Sequence, residues 1–136
     1  MAEKVFKLEI VTPKKIVFSA DVISFSAPGV AGGFQVLRSH APFLSNIGIG
    51  EVKLVEASGS EARFATSGGF VEVHDNKVIL LAETAERSDE IDVTRAETAK
   101  ERARKRLAAK TAEIDVDRAR LALFRALNRL KVADQL

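Results

Sequence analysis

The chain has 136 residues and a formal net charge of +2, from 21 basic and 19 acidic side chains. It contains no cysteine, which excludes disulfides, zinc-thiolate sites and thiol chemistry. No stretch approaches the roughly 20 apolar residues that a membrane-spanning helix needs, so we expect a soluble protein that is at most peripheral to a membrane.

The distribution of glycine and proline changes near residue 87. All eight glycines and all three prolines precede that point. Because Gly and Pro form turns and interrupt helices, the first part should contain many short elements and the second a few long ones. Residues 1–86 carry eight basic and ten acidic side chains, whereas residues 87–136 carry thirteen and nine. We therefore predict a β domain over residues 1–86 and a basic helical unit over residues 87–136.

The first part reads as a series of strands. Phe6, Leu8 and Ile10 alternate with polar residues, which is the period of a strand with one buried face. Further β-type runs follow at Ile16–Phe18, Val22–Ala27, Phe34–Leu37, Gly48–Val55, Ala62–Ser67, Phe70–His74 and Lys77–Ala82. A tight turn is expected at Asp75-Asn76, because both residues tolerate a left-handed backbone. The pattern predicts an antiparallel β-sandwich or barrel.

The second part has the period of amphipathic helices. Apolar residues recur at spacings of three and four, namely Val93, Ala96, Ala99, Ala103 and Leu107, and then Val116, Ala119, Leu123, Leu127 and Leu130. Asp92 and Asp115 are suited to be N-caps. A turn at Thr111–Ile114 would make an antiparallel helical hairpin. Because its first helix presents mainly alanine, which buries less apolar area than leucine, we expect the hairpin to be held weakly enough to detach.

Four arginines are expected to converge on one seam of this hairpin. Arg95 and Arg102 are two turns apart on the first helix, and Arg125 and Arg129 are about one turn apart on the second. If the turn centres near residue 113, Arg102 lies level with Arg125, and Arg95 with Arg129. Guanidinium groups are well shaped for bidentate phosphate contacts, so a bound phosphate is one hypothesis.

The alternative is a solvated basic face on which carboxylates pair with the arginines. Glu97, Glu101 and Glu113 could supply such pairs at helical spacing.

Several segments resemble one known family. The runs Ala85–Ala96 and Leu121–Leu130 closely resemble the epsilon subunit of bacterial-type rotary ATP synthases. Leu8–Pro13 with Val17-Phe18 is similar to the family's first hairpin, Ser39–Leu44 resembles its Gly-His-Ala-Pro-Leu-Leu segment, and Ser67–Val73 resembles its Ser-Gly-Gly-Phe strand. In this order and at this spacing, the resemblance covers nearly the whole chain.

The resemblance implies a non-catalytic rotor subunit of a proton- or sodium-driven ATP synthase. Its β-sandwich would seat on the gamma subunit and the membrane c-ring, at the cytoplasmic face of the bacterial inner membrane or its organellar equivalent. In that family the folded hairpin binds ATP in some members. The extended hairpin rises along gamma toward the catalytic alpha and beta subunits and inhibits ATP hydrolysis.

The nucleotide-binding members share an Ile/Leu-Asp-x-x-Arg-Ala motif. Here the motif and the further polar positions correspond to Ile91, Asp92, Arg95 and Ala96, with Glu86, Arg102, Arg125 and Arg129. The resemblance implies that the arginines hold phosphates and ribose and that Asp92 and Glu86 accept from adenine or ribose or orient the arginines. Ile91 and Ala96 would leave an apolar slot for the base. ATP is the expected regulatory ligand, with the role of Mg²⁺ left open, and we expect no catalytic cofactor and no metal site.

One segment departs from the family pattern. Where many members read Gly-Glu-x-Gly-x-Leu-Pro-Gly-His, residues 31–40 read Ala-Gly-Gly-Phe-Gln-Val-Leu-Arg-Ser-His, without the acidic residue and the Pro-Gly pair. Relatives place this loop near the c-ring, so Arg38, His40 and Pro42 are predicted rotor contacts. A His40 that merely caps the loop is an equal alternative, and His74 is expected at the surface.

No catalytic site is predicted. The chain's two histidines, without cysteine, give neither a metal-ligand spacing nor a recognisable nucleophile and base. Gly29–Gly33 lacks the phosphate-loop signatures. Two other functions stay open: a purely structural rotor adaptor without nucleotide sensing, and a basic nucleic-acid-binding module. The second is disfavoured because Asp and Glu interleave with the arginines and because Trp and Tyr are absent.

Overall fold

The computed structural model describes residues 4–109 and 115–134. The chain divides into two compact units, Met1–Arg87 and Ser88–Leu136. In the described part of the chain, the first unit is built from strands and the second from a 3₁₀ turn and two α-helices. The turn predicted at Thr111–Ile114 lies outside the described residues.

The strands of the first unit follow one hydrogen-bonded path. They are β1 (Phe6–Val11), β2 (Ile16–Ala27), β3 (Phe34–Val36), β4 (Phe43–Ile47), β5 (Gly50–Glu56), β6 (Glu61–Thr66), β7 (Gly69–His74), β8 (Lys77–Ala82) and β9 (Ala85–Arg87). Their order is β4-β7-β8-β1-β2-β5-β6-β9, and β3 pairs with β2. The predicted antiparallel sandwich is confirmed, with one parallel pair, β1 and β8, within it.

Strand β2 connects the two layers of the sandwich. Its first half pairs with β1, and its second half pairs with β3 and β5. The pairing with β5 shifts between Val22 and Ser24, and a bulge of this kind bends a strand and increases its twist. The prediction of two separate strands, Ile16–Phe18 and Val22–Ala27, was therefore wrong: the polar Ser19 and Asp21 interrupt the apolar pattern but not the backbone ladder.

Two strands were not predicted. β4 pairs with β7 over five positions, yet Ile47 is its one buried side chain, so the segment lacks a clear alternation of apolar and polar residues. β9 is a three-residue edge strand that pairs with β6. Its guanidinium at Arg87 lies 5.6 Å from the centroid of the Phe64 ring. Such short or half-buried strands give little periodic signal in a sequence.

The core of the sandwich is formed by the inward-facing residues of both layers. Phe25 and Phe64 are fully buried, and Phe18 meets Phe64 edge to face with ring centroids 6.3 Å apart. The buried hydroxyl of Thr66 donates to the carbonyl of Gly68 and accepts from its N–H, at 3.4 and 3.3 Å. This bond satisfies a polar group that would otherwise be costly to bury.

The turn between β7 and β8 has the predicted form. Asp75 and Asn76 have φ of 50° and 59°, so both occupy the left-handed region that a two-residue hairpin turn requires. At the other end of β7, Gly69 pairs with Ala82 and has φ of 154°. A Cβ at Gly69 would lie 2.2 Å from the carbonyl oxygen of Leu81. The strand can pair at this position only because the residue has no side chain.

The second unit begins with a 3₁₀ turn, Ser88–Glu90, followed by α1 (Val93–Ala109) and α2 (Val116–Val132). Both predicted N-caps are confirmed: the carboxylate of Asp92 accepts from the N–H of Arg95 at 3.0 Å, and that of Asp115 accepts from Arg118 at 3.1 Å. Each helix is about 25 Å long, and the seven Cα–Cα steps from Ala109 to Val116 span at most about 25 Å, which is too short to return along α1 and also cross the roughly 8–10 Å to a parallel neighbour. The two helices, which pack on each other, therefore run antiparallel.

Both helices bury alanines at a regular spacing. α1 buries Ala96 and Ala103, and α2 buries Ala119 and Ala126 as well as Leu130 and Val132 near its end. In both pairs the spacing is seven residues, which is two helical turns, so the buried alanines recur on one face of each helix. We infer that these faces meet, because a small side chain lets two backbones approach closely.

Replacing Gly69 by Ala should destabilise the sandwich by at least about 2 kcal/mol, because the added methyl group overlaps the backbone of β8. The measurement is urea unfolding followed through β7 and β8 amide signals. Gly48→Ala is the matched control, since a Cβ there meets no atom within 4 Å and the backbone is not left-handed. Equal unfolding midpoints for the two variants would contradict this account of Gly69.

Replacing Ala103 by Leu should destabilise the hairpin by about 1–3 kcal/mol, because the larger side chain forces α1 and α2 apart. Ala108→Leu, at an exposed position of the same helix, should change little. Amide exchange across both helices measures the difference. Protection that is unchanged in Ala103→Leu would show that Ala103 does not lie in the contact.

Candidate functional site

The contact between α1 and α2 determines where the four arginines of the predicted seam lie. Successive residues of a helix are rotated by about 100°. Arg95, Arg102 and Arg125 each precede a buried alanine by one residue, and Arg129 follows Ala126 by three, so all four lie about 60–100° to the same side of the contact. Since one helix of an antiparallel pair is inverted, the same side of each helix meets along one edge. We call Arg95, Arg102, Arg125 and Arg129 the arginine edge.

The opposite edge has a different chemistry. Leu107 follows Ala103 by four residues, and Leu123 and Leu130 follow Ala119 and Ala126 by four, which rotates them to the other side of the contact. Leu130 is fully buried, and Leu107 and Leu123 are half-buried. The hairpin therefore has one apolar edge and one cationic edge.

The ion pairs of the helices lie away from the arginine edge. Arg104 pairs with Glu101 at 3.4 Å and Arg120 with Asp117 at 3.8 Å, and both arginines follow a buried alanine rather than precede it. Glu97, a third acidic candidate, pairs with Lys100 at 3.1 Å. Within residues 4–109 and 115–134, the exposed side chains of Arg95, Arg102 and Arg125 make no ion pair.

The solvated-face alternative therefore fits Arg104 and Arg120, and it does not fit Arg95, Arg102 and Arg125. Glu97 and Glu101, the carboxylates that it invoked, pair three residues onward with other cations, and Glu113 lies outside the described residues. Arg118 also precedes a buried alanine and makes no ion pair with the described residues, so it joins the same edge on geometric grounds. The prediction that Arg102 lies at the same height along the hairpin as Arg125, and Arg95 at the same height as Arg129, stays a prediction.

The remaining predicted nucleotide-site residues have mixed environments. Asp92 is exposed and caps α1, so one of its oxygens is already engaged by the backbone of Arg95. Ile91 and Ala96 are buried, and Ala96 lies in the helix contact. Glu86 lies on β9 in the sandwich, whereas the other seven residues belong to the helical unit. A shallow concavity of about 490 Å³ along α1 includes Arg102 beside Glu97, Thr98, Glu101 and Lys105.

The predicted rotor contacts lie in the loop before β4. Arg38 and Pro42 are exposed and His40 is half-buried. The Nδ1 atom of His40 lies 2.7 Å from the carbonyl oxygen of Ala41, and its ring meets Phe43 edge to face at 5.8 Å. His40 thus has contacts inside its own loop, whereas the side chain of Arg38 makes no ion pair with the described residues. His74 is exposed, as expected, and pairs with Asp75 at 3.0 Å.

A surface that the sequence analysis missed lies on the outer face of the sandwich. Phe70 of β7 pairs with Leu81 of β8, Leu81 with Val11 of β1, and Val11 with Ile16 of β2. We call these four residues the apolar row. Leu81 is 54% exposed and Ile16 is 60% exposed. A concavity of about 340 Å³ adjoins the row and is lined by Val11, Thr12, Pro13, Leu81, Ala82 and Glu83.

A sequence signal for the apolar row exists in β8. Val78, Ile79, Leu80 and Leu81 are all apolar, although a strand with one solvated face should alternate. Val78 and Leu80 point into the core, which leaves Ile79 and Leu81 on the outer face. An exposed apolar row of this kind is typical of a surface that contacts a partner.

Some kinds of site find no support in the described residues. No three His, Asp or Glu side chains of residues 4–109 and 115–134 converge as metal ligands would. None of the helices in those residues is long and apolar enough to cross a membrane.

The chain matches two family models, one for each unit. Residues 5–88 match the β-sandwich domain of the ATP synthase delta/epsilon chain, and residues 89–134 match its long α-helix domain. The ATP synthase epsilon chain of Pelotomaculum thermopropionicum is 54% identical over 99% of this chain and 100% of its own length. That of Desulforamulus reducens is 46% identical over 96% and 98%.

Solved structures show the same fold at low sequence identity. A chain of the Euglena gracilis mitochondrial ATP synthase, solved as OSCP/F1/c-ring, has a TM-score of 0.71 and 18% identity, and the match covers 99% of this chain and 80% of that one. A chain of the Tetrahymena thermophila mitochondrial ATP synthase central stalk and c-ring has a TM-score of 0.62 and 15% identity over 98% and 99%. The chain belongs to the ATP synthase delta/epsilon chain family.

Proposed function

We propose that this chain is the epsilon subunit of an F-type ATP synthase, a non-catalytic part of the central stalk whose helical unit senses ATP. The family membership supports the stalk assignment, because relatives that align over almost their whole length are named ATP synthase epsilon chains. The observation that carries ATP sensing is the arginine edge, where the exposed cations Arg95, Arg102 and Arg125 make no ion pair with the described residues.

A triphosphate is the ligand that this edge suits best. Like charges on one edge repel one another unless a polyanion or carboxylates compensate them. Carboxylates three residues away neutralise Arg104 and Arg120, but no ion pair with the described residues compensates Arg95, Arg102 or Arg125. Arginine's planar fork binds phosphate oxygens bidentately, and charge-assisted hydrogen bonds are roughly twice as strong as neutral ones. Residues Ile91, Asp92, Arg95 and Ala96 also satisfy the sequence motif that nucleotide-binding members share.

Regulation then follows from linkage between binding and conformation. If ATP binds only the folded state of the hairpin, it stabilises that state by about 2.7 kcal/mol when the ATP concentration is 100 times the dissociation constant. At low ATP the hairpin is released, which its alanine contact permits because alanine buries little apolar area. The basic α2 is then attracted to acidic surfaces of the catalytic alpha and beta subunits and blocks ATP hydrolysis when ATP is scarce.

The sandwich attaches the subunit to the rotor at two places. The apolar row docks on the gamma subunit, since four side chains in register across four strands present a continuous apolar surface. The loop with Arg38, His40 and Pro42 faces the c-ring.

A structural rotor adaptor without nucleotide sensing is the second candidate. It is favoured by the burial of Ile91 and Ala96, because these are the residues expected to leave a slot for the adenine base. The adaptor has the same fold and the same rotor contacts, and it differs only in its response to ATP.

Replacing either Arg102 or Arg125 by Ala should weaken ATP binding at least tenfold, because each change removes a charge-assisted contact of about 1.5–3 kcal/mol. Calorimetry on the full chain measures the affinity. Arg104→Ala is the matched control, since Arg104 lies on the same helix but pairs with Glu101 away from the edge. Affinities that stay unchanged in both test variants would rule out the arginine edge as the ATP site.

Replacing Leu81 by Glu should weaken binding to the gamma subunit by at least roughly tenfold, because the apolar row then carries a charge that loses its hydration on docking. The stability of the sandwich should change little, since Leu81 is exposed. Ile23→Glu, at an exposed apolar position outside the row, serves as the control. Affinity for gamma can be measured by surface-immobilised titration, and equal values for both variants would disprove this docking surface.

A further inference from the structure

The loop between β3 and β4 contains a turn that its own sequence does not favour. The N–H of His40 donates to the carbonyl of Leu37 at 3.3 Å, which closes a four-residue turn. Its third residue, Ser39, has φ of 62° and is therefore left-handed, whereas Arg38 is not. A turn of this form prefers Pro at its second position and Gly at its third. This chain has Arg38 and Ser39 there.

A residue distant in sequence holds the turn in place. The side-chain oxygen of Asn76 accepts from the N–H of Ser39 at 2.8 Å, across 37 positions of the chain. The side-chain nitrogen of Asn76 donates to the carbonyl of Val5 at 3.0 Å. Its backbone carbonyl also accepts from the N–H of Lys7 at 3.2 Å. Asn76 thus ties the loop to the start of β1, and it is itself held by the β7–β8 turn.

The turn presents two exposed side chains at this end of the sandwich. Leu37 is 51% exposed, and Arg38 is exposed and makes no ion pair with the described residues. The hydrogen bond from Ser39 to Asn76, together with the bond from His40 to Leu37 that closes the turn, fixes the direction in which both leave the backbone. Without the bond to Asn76, Arg38-Ser39 has no Pro to restrict φ and no Gly to accept the left-handed conformation at no cost.

We propose that Asn76 is the positioning residue of the rotor-contact loop: it supplies the turn geometry that Arg38-Ser39 does not encode, and so holds Leu37 and Arg38 for the c-ring. This inference rests on the proposed rotor role of the loop. Asn76 does not itself need to touch the c-ring, yet it sets the affinity of the loop for the c-ring.

The test uses the full chain with Asn76→Gly. Glycine accepts the left-handed position of the hairpin turn, so β7 and β8 stay paired while both side-chain hydrogen bonds are lost. Asp75→Gly is the matched control, because Asp75 occupies the same turn with φ of 50° but its side chain pairs with His74 rather than with the loop. The readouts are amide exchange of Ser39 and affinity for a detergent-solubilised assembly of gamma and c-ring.

Asn76→Gly should speed exchange of the Ser39 amide about tenfold and weaken affinity for the assembly roughly fivefold, the loss expected for one hydrogen bond. Asp75→Gly should leave both nearly unchanged. Adding Ser39→Gly to Asn76→Gly should restore the affinity, because glycine forms the turn without help. A merely structural role for Asn76 would not give this rescue.

The opposing outcomes separate this inference from the function on which it rests. If Arg38→Ala weakens binding and Asn76→Gly does not, the loop contacts the rotor but Asn76 does not position it. If Asn76→Gly weakens binding and Ser39→Gly fails to rescue it, the effect does not act through the turn. If neither Arg38→Ala nor Asn76→Gly changes the affinity, the rotor role of the loop is itself wrong.

Discussion

The inferred contact of alanine with alanine between α1 and α2 is the constraint on which the functional reading of the helical unit depends. It sets which side of each helix is buried, and thereby places Arg95, Arg102, Arg125 and Arg129 along one edge and leucines along the other. The alanines themselves contribute little to holding the helices together, because an alanine methyl buries little apolar area. A hairpin that gathers cations on one edge and is held by a small contact is suited to a ligand-dependent conformational change.

The two surfaces proposed to contact the rotor lie at opposite ends of β7. β7 begins at Gly69, next to Phe70 of the apolar row, and ends at the turn that contains Asn76. Asn76 accepts a hydrogen bond from Ser39 of the 37–42 loop. One surface is apolar and lies flat on a sheet face, whereas the other is a loop with an exposed cation. This arrangement agrees with the proposal that the sandwich contacts the rotor at two places.

The sequence predicted the parts of the fold that have strong periodicity. The helices followed from apolar spacing and from Asp92 and Asp115, and most strands followed from alternation between turn residues. β4 and β9 were missed because neither buries a regular series of side chains, and β2 was divided in two because Ser19 and Asp21 interrupt its pattern.

Helical spacing predicted that the arginines share one edge, and the buried alanines show which side of each helix is covered. Which carboxylates pair with which arginines could not be derived from helical spacing, since Glu101 selects Arg104 among several cations within reach. The hydrogen bond from Ser39 to Asn76 joins positions 37 residues apart, and no local sequence pattern predicts it.

The most direct test of the account is a titration of the full chain with ATP, ADP and AMP, followed by calorimetry and by the NMR signals of the helical unit. The account predicts saturable binding that prefers ATP, with shifts at Arg95, Arg102 and Arg125 and little change at Arg104 and Arg120. It also predicts weaker binding as phosphates are removed, because the edge recognises phosphate charge. An absence of binding at millimolar ATP would contradict nucleotide sensing and would leave the chain as a structural adaptor of the rotor.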